Sequence, residues 1–337
     1  LLAPINNTVS YNQIERADTV LLIGASPMKS HTVAGFKLNN MRKNGGKIYT
    51  FNTEKIHEDK WAEEIIKNEE DILKLEKALL DLYYKDNLSS LDILRKNLKD
   101  IKVDEDILNL AKIFKESSRG IIIVDEKNLS YEGQRRIANI LLLSGKIDKP
   151  RNGLFILKEE CNSQGLWNLG VRKNKNELIE KIENNEIKTL ITLGEEIKDL
   201  NYLKIDSIIS LNTFILEEIN KIDAIIPLSM YGESKGSYIN AEGRLQFSDK
   251  AIESKVFIEN WKILNYILEE ITGKTKYKNI EDIELELKEK IGCFKAYNRQ
   301  SDGLEEKYYK IKKENIYLDD IDKPIFKTKE SYKIGRA

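Results

Sequence analysis

TVLLIGASPMKSH, residues 19–31, is the stretch that decides the fold class. Its first half is an apolar run that ends at Gly24, and its second half brings polar residues and a proline. A buried parallel strand that turns into a helix has this pattern. The pattern recurs with KIYTFN at residues 47–52 and GIIIVDE at residues 120–126, between amphipathic stretches. Strands that alternate with helices predict a doubly wound α/β fold with a parallel sheet.

The second half of the chain predicts another unit of the same kind. TLITLGE, DSIISLN and IDAIIPL, which begin at residues 189, 206 and 222, predict three more strands, of which the last should be buried. The strand pattern stops after Arg244, and residues 254–274 predict an amphipathic helix. Its apolar face would carry Phe257, Trp261, Leu264, Ile267 and Leu268. Residues 59–100, by contrast, are highly charged and predict helix throughout, with a break near KDNLSS.

The composition changes near Pro150, because residues 149–170 are rich in glycine and asparagine and predict a long loop. We therefore predict a first doubly wound α/β domain at residues 1–150 and a second at 151–290, followed by an extended charged tail at 291–337. The second domain has too few strands for a complete unit, so we expect its first half to precede Leu1. The start of the chain, without an initiator Met or a signal peptide, also predicts a piece of a longer protein.

The bulk composition argues against several classes of binding partner and of metal site. The net charge is −1, which argues against nucleic acid or an anionic membrane surface as the main partner. No apolar run approaches the roughly 18 residues of a membrane span. The two cysteines, Cys161 and Cys293, are too few to hold an iron–sulfur cluster or a zinc ion alone. A reducing cytoplasmic compartment is the expected location.

Polar segments follow several predicted strands, and ligands of doubly wound sheets bind at the carboxyl ends of the strands. After the first strand, Gly24, Ser26 and backbone N–H groups could bind an anion at a helix start. The alternative is an ordinary turn with Pro27 and a capped helix. His31 has the position of a surface or capping residue. The spacing of the two histidines, His31 and His57, predicts no metal site.

Two later segments also allow both a ligand-binding and a structural interpretation. In NSQG, Asn162 and Gln164 could bind a heterocyclic ligand through their amides or hold the backbone of their own loop. GESKGSYINAEGR, residues 232–244, could close over a ligand. It could equally be a connection in which Arg244 pairs with Glu233 or Glu242.

Taken together, four segments in order resemble the molybdopterin oxidoreductase superfamily. They are the stretch from Ala17 to Ile48, LLLSGKIDKPRNGLFIL, NSQGLWNLGV, and DAIIPLSMYGESKGSYINAEGRLQ, which is the most specific. A tryptophan-containing helix follows in IENWKILNYILEEIT. The resemblance implies two Rossmann-like units of the kind found in the first three domains of formate dehydrogenase and DMSO reductase, without the C-terminal β-barrel.

The resemblance also implies a cofactor site, either real or vestigial, for a bis-molybdopterin guanine dinucleotide with molybdenum or tungsten. The residues at matching positions are Gly24, Ser26, Pro27, His31, Asn162, Gln164, Gly165, Gly236, Asn240, Glu242 and Arg244. Other positions depart from the family pattern: residues 52–54 are Asn-Thr-Glu, residues 194–197 are Gly-Glu-Glu-Ile, and the loop residues Lys158 and Glu160 differ as well. Added acidic groups are poorly suited to binding pyrophosphate, because like charges repel in a shielded pocket.

These departures favour one branch, the large iron–sulfur subunit of NADH–quinone oxidoreductase and its relatives. The main hypothesis is therefore a structural domain with a degenerate cofactor site, no bound cofactor, and no catalytic or metal-binding residue. Alone it would be inactive. Its partners would be N-terminal iron–sulfur domains of the same subunit and other subunits of a dehydrogenase complex, and such a complex would place it at the membrane periphery. The alternative is a fragment of a molybdopterin-dependent oxidoreductase such as a formate dehydrogenase alpha subunit. A third hypothesis, an unrelated α/β ligand-binding module, would require a different strand order.

Overall fold

The computed structural model describes residues 9–84, 91–147, 149, 151–171, 175–194, 204–215 and 219–290. The predicted tail at 291–337, Pro150 and the predicted departure at residues 195–197 lie outside these ranges. The chain divides into two compact units. The first holds the described residues up to Gln164 together with Ile239–Arg244, and the second holds Gly165–Tyr238 and the described residues from Leu245 onward.

A five-stranded sheet with the order β3-β2-β1-β4-β5 forms the centre of the first unit. The strands are β1 (Thr19–Ile23), β2 (Lys47–Phe51), β3 (Glu64–Ile66), β4 (Gly120–Asp125) and β5 (Gly153–Leu157). All four neighbouring pairs are parallel. Strands β1 and β5 are buried along their whole length, as expected for a parallel sheet covered on both faces.

The helices of the first unit form two layers. They are α1 (Tyr11–Glu15), α2 (Pro27–Ser30), α3 (Thr32–Lys43), α4 (Glu70–Tyr83), α5 (Asp92–Leu98), α6 (Glu105–Glu116) and α7 (Tyr131–Ser144). Helices α1 and α3 bury Ile14 and Leu38 against the even-numbered side chains of β1, such as Val20. Helices α4 to α7 cover the other face, where the odd-numbered Leu21 and Ile23 lie. Because successive side chains of a strand point to opposite faces of the sheet, β1 contributes side chains to both hydrophobic cores.

A buried ionic cluster lies where α4 and α7 pack together. Arg136 Nη1 lies 3.1 Å from Glu76 Oε2, and Arg136 Nε lies 2.6 Å from Glu132 Oε1. Asn139 Nδ2 donates to Glu76 Oε1 at 2.6 Å. All four side chains are buried, and Glu76 is 0% exposed. Burial raises the pKa of Glu76 to about 7, and the attraction of Arg136 opposes that rise.

The second unit is built on the three-stranded parallel sheet β6-β7-β8. Its elements are β6 (Thr189–Leu193), β7 (Ser207–Asn212), β8 (Ala224–Pro227), α8 (Ser163–Asn168, which begins in the first unit), α9 (Lys175–Glu183), α10 (Asn260–Thr272) and α11 (Ile280–Lys290). Ile182 of α9 packs on one face with Leu190 and Ile208. Ile263 of α10 packs on the other face with Leu211.

The fold class is confirmed: the described chain is mixed α/β with parallel sheets. Several local predictions are wrong. Strand β3 interrupts the predicted helical stretch, because a short Glu-Ile-Ile segment pairs with the edge of β2. Strand β5 and helix α8 lie inside the predicted loop, so the first unit continues past the composition change near Pro150.

The region after Arg244 also differs from the prediction. β9 (Gly236–Ile239) and β10 (Leu245–Ser248) form a two-stranded sheet, so strand structure continues past Arg244. Helix α10 begins only at Asn260, and Phe257 is 103% exposed. Phe257 precedes this helix, and the buried apolar residue of α10 is Ile263, which packs with Leu211.

Candidate functional site

The predicted ligand residues of the first unit lie where its parallel strands end. β1 leads into Gly24, β2 into Asn52 and β5 into Lys158, while Asp125 closes β4. Gly24 has φ +60°, a left-handed conformation that glycine adopts without strain. Its N–H donates to Phe51 O at 2.9 Å, and its carbonyl accepts Asn128 Nδ2 at 2.6 Å. The sharp turn after β1 is therefore fixed by the neighbouring strand and by the loop after β4.

The β1 loop, residues 24–31, is filled by a carboxylate from the protein itself. Ser26 Oγ donates to Glu58 Oε2 at 2.8 Å, and the Met28 N–H donates to Glu58 Oε1 at 2.8 Å. Glu58 is 0% exposed and lies in the short 3-10 turn His57–Trp61 between β2 and β3. Pro27 is buried at the first position of α2. The hydrogen-bond donors that the anion-binding interpretation requires thus donate to Glu58 in this structure.

His31 is committed to the loop structure on both ring nitrogens. Nε2 lies 2.7 Å from Lys158 O, and Nδ1 lies 2.9 Å from Ser30 Oγ. A carbonyl oxygen only accepts, so the proton of the neutral ring is on Nε2. His31 therefore joins the β1 loop to the end of β5; it stands at the N-cap of α3, but its side chain makes no capping hydrogen bond.

The acidic and basic groups at this edge are largely buried. Burial raises the pKa of the Asp125 carboxyl, although the Lys127 N–H and the nearby His31 act in the opposite direction. Lys158 is 4% exposed, and its Nζ lies 3.6 Å from Glu126 Oε2. Burial lowers the pKa of Lys158, which Glu126 counteracts. Within the described ranges, no three His, Cys, Asp or Glu side chains come together in a way that could hold a metal ion.

Asn162 has an intramolecular role. Its Oδ1 accepts the N–H of Ile239 at 2.9 Å, so the amide ties the segment after β5 to the end of β9. Gln164 and Gly165 lie in α8, and Gln164 is 1% exposed. The partner of the Asn162 amide is therefore a backbone group, and this group belongs to β9 rather than to the loop that carries Asn162.

The hairpin turn, residues 240–244, is held by its own side chains and by α1. Asn240 Oδ1 accepts the Arg244 N–H at 2.9 Å, and Gly243 has φ +78°. Glu242 Oε2 accepts the Tyr11 N–H at 2.9 Å, across 231 positions of sequence. Arg244 Nε lies 3.9 Å from Glu242 Oε1, and the Arg244 side chain is 43% exposed. Arg244 thus pairs with Glu242 rather than with Glu233, and the distance is long for an ion pair.

Gly236 lies close to the aromatic ring of Tyr238. A Cβ at this position would lie 3.1 Å from Tyr238 Cε2 and 3.2 Å from its hydroxyl oxygen. Its place in the matched motif therefore has a packing reason inside β9.

Two buried amides lack a hydrogen-bond partner for Nδ2 among the described residues. Asn52, which is 7% exposed, follows β2, and Asn212, which is 2% exposed, ends β7. Each lies at the carboxyl end of a strand in its own unit. Buried donors of this kind call for an explanation, and a ligand acceptor is one. Sequence reasoning placed Asn52 in a polar segment at a strand end and counted it among the departures from the family pattern. It did not single out Asn212, although its position at a strand end was available as a signal.

The arrangement described does not fit a phosphate at the β1 loop. A phosphate that used Ser26 Oγ and the Met28 N–H would have to share those donors with the Glu58 carboxylate. Two anions that share the same hydrogen-bond donors lie close together, and in a buried site they repel strongly. Hydrogen-bonding groups of His31 and Asn162 are also engaged within the protein.

Comparison with known proteins places the chain in context. The family model described as molybdopterin oxidoreductase matches residues 3–270. An F420-dependent formate dehydrogenase subunit alpha from Methanocaldococcus jannaschii is 22% identical over 83% of this chain and 52% of its own length. Formate dehydrogenase H from Escherichia coli is 20% identical over 82% of this chain and 48% of its own length.

Other similarities are shorter or structural. The NADH-ubiquinone oxidoreductase 75 kDa subunit from Reclinomonas americana is 32% identical, but over only 39% of this chain and 19% of its own length. Acetylene hydratase from Pelobacter acetylenicus has a similar fold, with a TM-score of 0.54 and 12% identity over 84% of this chain and 52% of that chain. The chain spans about half the length of the formate dehydrogenases it matches.

Proposed function

The chain belongs to the molybdopterin oxidoreductase family, and from this we propose that it is the α/β portion of a molybdopterin-dependent oxidoreductase subunit of the formate dehydrogenase alpha type. One observation carries the proposal: the matched region of the formate dehydrogenases extends over about four fifths of this chain. The NADH-ubiquinone oxidoreductase subunit matches 39% of it. The hypothesis of an NADH dehydrogenase-type scaffold therefore takes second place.

In the proposed function, the molybdenum or tungsten group supplies two-electron redox chemistry when bound. This chain contributes the strand ends and loops of two α/β units. Iron–sulfur domains and further subunits of a dehydrogenase complex are the proposed partners, and the cytoplasm is the proposed location. None of the helices in the described ranges combines the length and hydropathy that a membrane span requires.

A scaffold without cofactor is the second candidate, and a specific observation favours it. Glu58 fills the β1 loop, and both ring nitrogens of His31 have partners within the protein. A site that had lost its cofactor would gain stability from such internal hydrogen bonds, because buried polar groups are costly when unpaired.

Metal analysis of the full-length protein tests the proposal. We expect molybdenum or tungsten in stoichiometric amount, together with formate-dependent reduction of an artificial electron acceptor. Purification from a host that makes the cofactor, with a known formate dehydrogenase prepared in parallel, provides the control. A folded protein without either metal, in a preparation where the control is loaded, would sink the proposal and leave the scaffold.

A further inference from the structure

We propose that Asn44 is a site of spontaneous deamidation, and that the fold protects the other Asn–Gly pair of the chain, Asn152–Gly153, from the same reaction. The sequence contains two such pairs, at residues 44–45 and 152–153. Glycine carries no side chain next to its backbone nitrogen, so an Asn–Gly pair offers the least steric hindrance to this chemistry. The reaction needs only the chain and water, and it is therefore independent of the proposed function.

The reaction converts a neutral amide into a carboxylate. The backbone nitrogen of Gly45 attacks Cγ of Asn44, and a new C–N bond forms. The bond from Cγ to Nδ2 breaks, and Nδ2 leaves as ammonia with the proton that the Gly45 nitrogen has lost. Water then opens the cyclic imide at either of its two carbonyls, which gives an aspartate or an isoaspartate at position 44. Nothing is oxidised or reduced, and water is the only co-reactant.

Asn44 stands at the end of α3 in a turn that leaves its side chain open. The residue is exposed, and its amide makes no hydrogen bond among the described residues. Gly45 has φ +89°, and around it the described chain places no atom within 4 Å of where a Cβ would lie, its own neighbours excepted. Both residues line a cavity of about 600 Å³, which gives the side chain room to turn and gives water access to the imide.

One contact opposes the reaction at Asn44. The Gly45 N–H donates to Arg42 O at 3.0 Å, so the attacking nitrogen becomes free only when the last turn of α3 opens. Helix ends fray, and local opening of this kind takes much less free energy than opening a core strand. The reaction at Asn44 therefore proceeds without unfolding of the first unit.

Asn152 is held in place by the start of β4. Its Oδ1 accepts the Gly120 N–H at 2.7 Å, and its Nδ2 donates to Ser118 O at 2.8 Å. The residue is 2% exposed, and Gly153 is the first residue of β5, which pairs with β4. The side chain would have to break both hydrogen bonds and turn inside the core before Cγ could meet the Gly153 nitrogen. Attack at this pair therefore requires the β4–β5 side of the sheet to open.

An isoaspartate at position 44 would disturb the start of β2. Its backbone runs through the former side chain and is longer by a single carbon atom. Gly46 leaves little room for a shift, because a Cβ on it would overlap Met41 Sδ and lie 2.9 Å from Ala17 O. The N–H of Lys47, the first residue of β2, donates to Asp18 O at 2.9 Å. We expect the added atom to strain these contacts and to lower the melting temperature.

Peptide mapping by mass spectrometry, on the full chain kept folded at pH 8, measures the conversion at both pairs. We expect Asn44 to convert about tenfold or more faster than Asn152, whose two side-chain hydrogen bonds must break first. In urea, where the fold is lost, the two rates should converge. A folded chain in which Asn44 converts no faster than Asn152, or a difference between them that persists in urea, would overturn the proposal.

Asn44→Gln is the matched variant. Glutamine keeps the amide but has to close a larger ring, so conversion at position 44 should fall to the level of Asn152 or below. Wild type should gain isoaspartate, measured with a protein isoaspartyl methyltransferase, and Asn44→Gln should gain little. Equal gains in the two proteins would contradict the assignment of the site.

The added negative charge allows the converted fraction of wild type to be separated by anion exchange. That fraction should melt about 2–4 °C below the unconverted protein. Asn44→Gln, incubated in the same way, should keep its melting temperature. Equal melting temperatures of the two wild-type fractions would refute the strain inferred at the start of β2.

Discussion

The buried carboxylate Glu76 should make the first unit less stable as the pH rises from about 4.5 to about 7. Its pKa is 4.5 in an exposed state and about 7 in the folded protein, chiefly because of burial. The folded state then binds a proton more tightly than the unfolded state. By linkage, the free energy of unfolding falls with rising pH wherever the folded state holds more protons. The contribution of Glu76 is thus present below pH 4.5 and lost as the pH passes through 7.

The size of the effect follows from the difference between the two pKa values. At roughly 1.4 kcal/mol per pKa unit, the loss is about 3–4 kcal/mol at most. No discount for solvent screening applies, because Glu76 is 0% exposed. Arg136 is already included as the opposing influence on this pKa.

Urea unfolding followed by circular dichroism between pH 5 and pH 8 measures the effect, with Glu76→Gln compared against wild type. Glutamine does not titrate, so the pH-dependent loss attributable to residue 76 should disappear in the variant. Glu70→Gln, at an exposed position of the same helix, is the matched control and should keep the wild-type slope. If Glu76→Gln and wild type lose stability in parallel, residue 76 is ionised throughout this range and the reasoning is refuted.

Three further outcomes follow from single contacts. Glu242→Ala removes the acceptor of the Tyr11 N–H and should cost about 1 kcal/mol in urea unfolding; an unchanged midpoint would mean that water replaces the carboxylate without loss. Arg244→Ala should change the melting temperature little, since the pair with Glu242 is long and the guanidinium is exposed; a loss above about 1 kcal/mol would show a tighter contact. Gly24→Ala places a Cβ at φ +60° and should destabilise by about 1–2 kcal/mol, seen as a lower unfolding midpoint, and a neutral result would contradict the left-handed conformation.

The sequence predicts those elements whose signal is local. β1 and β4 consist almost entirely of apolar residues, and each forms a strand in a parallel sheet. β3 is only three residues long and β5 lies within a Gly- and Asn-rich segment, so both depend on pairing with a neighbour that the pattern does not reveal.

The residues of the candidate site also fall into two groups: those that a local sequence pattern predicts and those whose role depends on distant contacts. The position of Ser26 after β1 could be predicted, because a strand followed by a polar turn has a recognisable pattern. Glu58 could not, since its role depends on a contact across 32 positions between two loops. Asn212 could be placed at a strand end from the sequence, but no local pattern shows that its amide is buried and lacks a hydrogen-bond partner among the described residues.

The hydrogen bond between Tyr11 and Glu242 can form only after the ribosome has synthesised both residues. The acceptor lies 231 residues after the donor. At roughly 5–20 residues per second, the ribosome delivers Glu242 about 10–50 s after Tyr11. The α1 end of the first unit must wait through that interval with its backbone donor exposed. A nascent chain stalled before the hairpin turn should therefore be cleaved near α1 by protease more readily than one released after it.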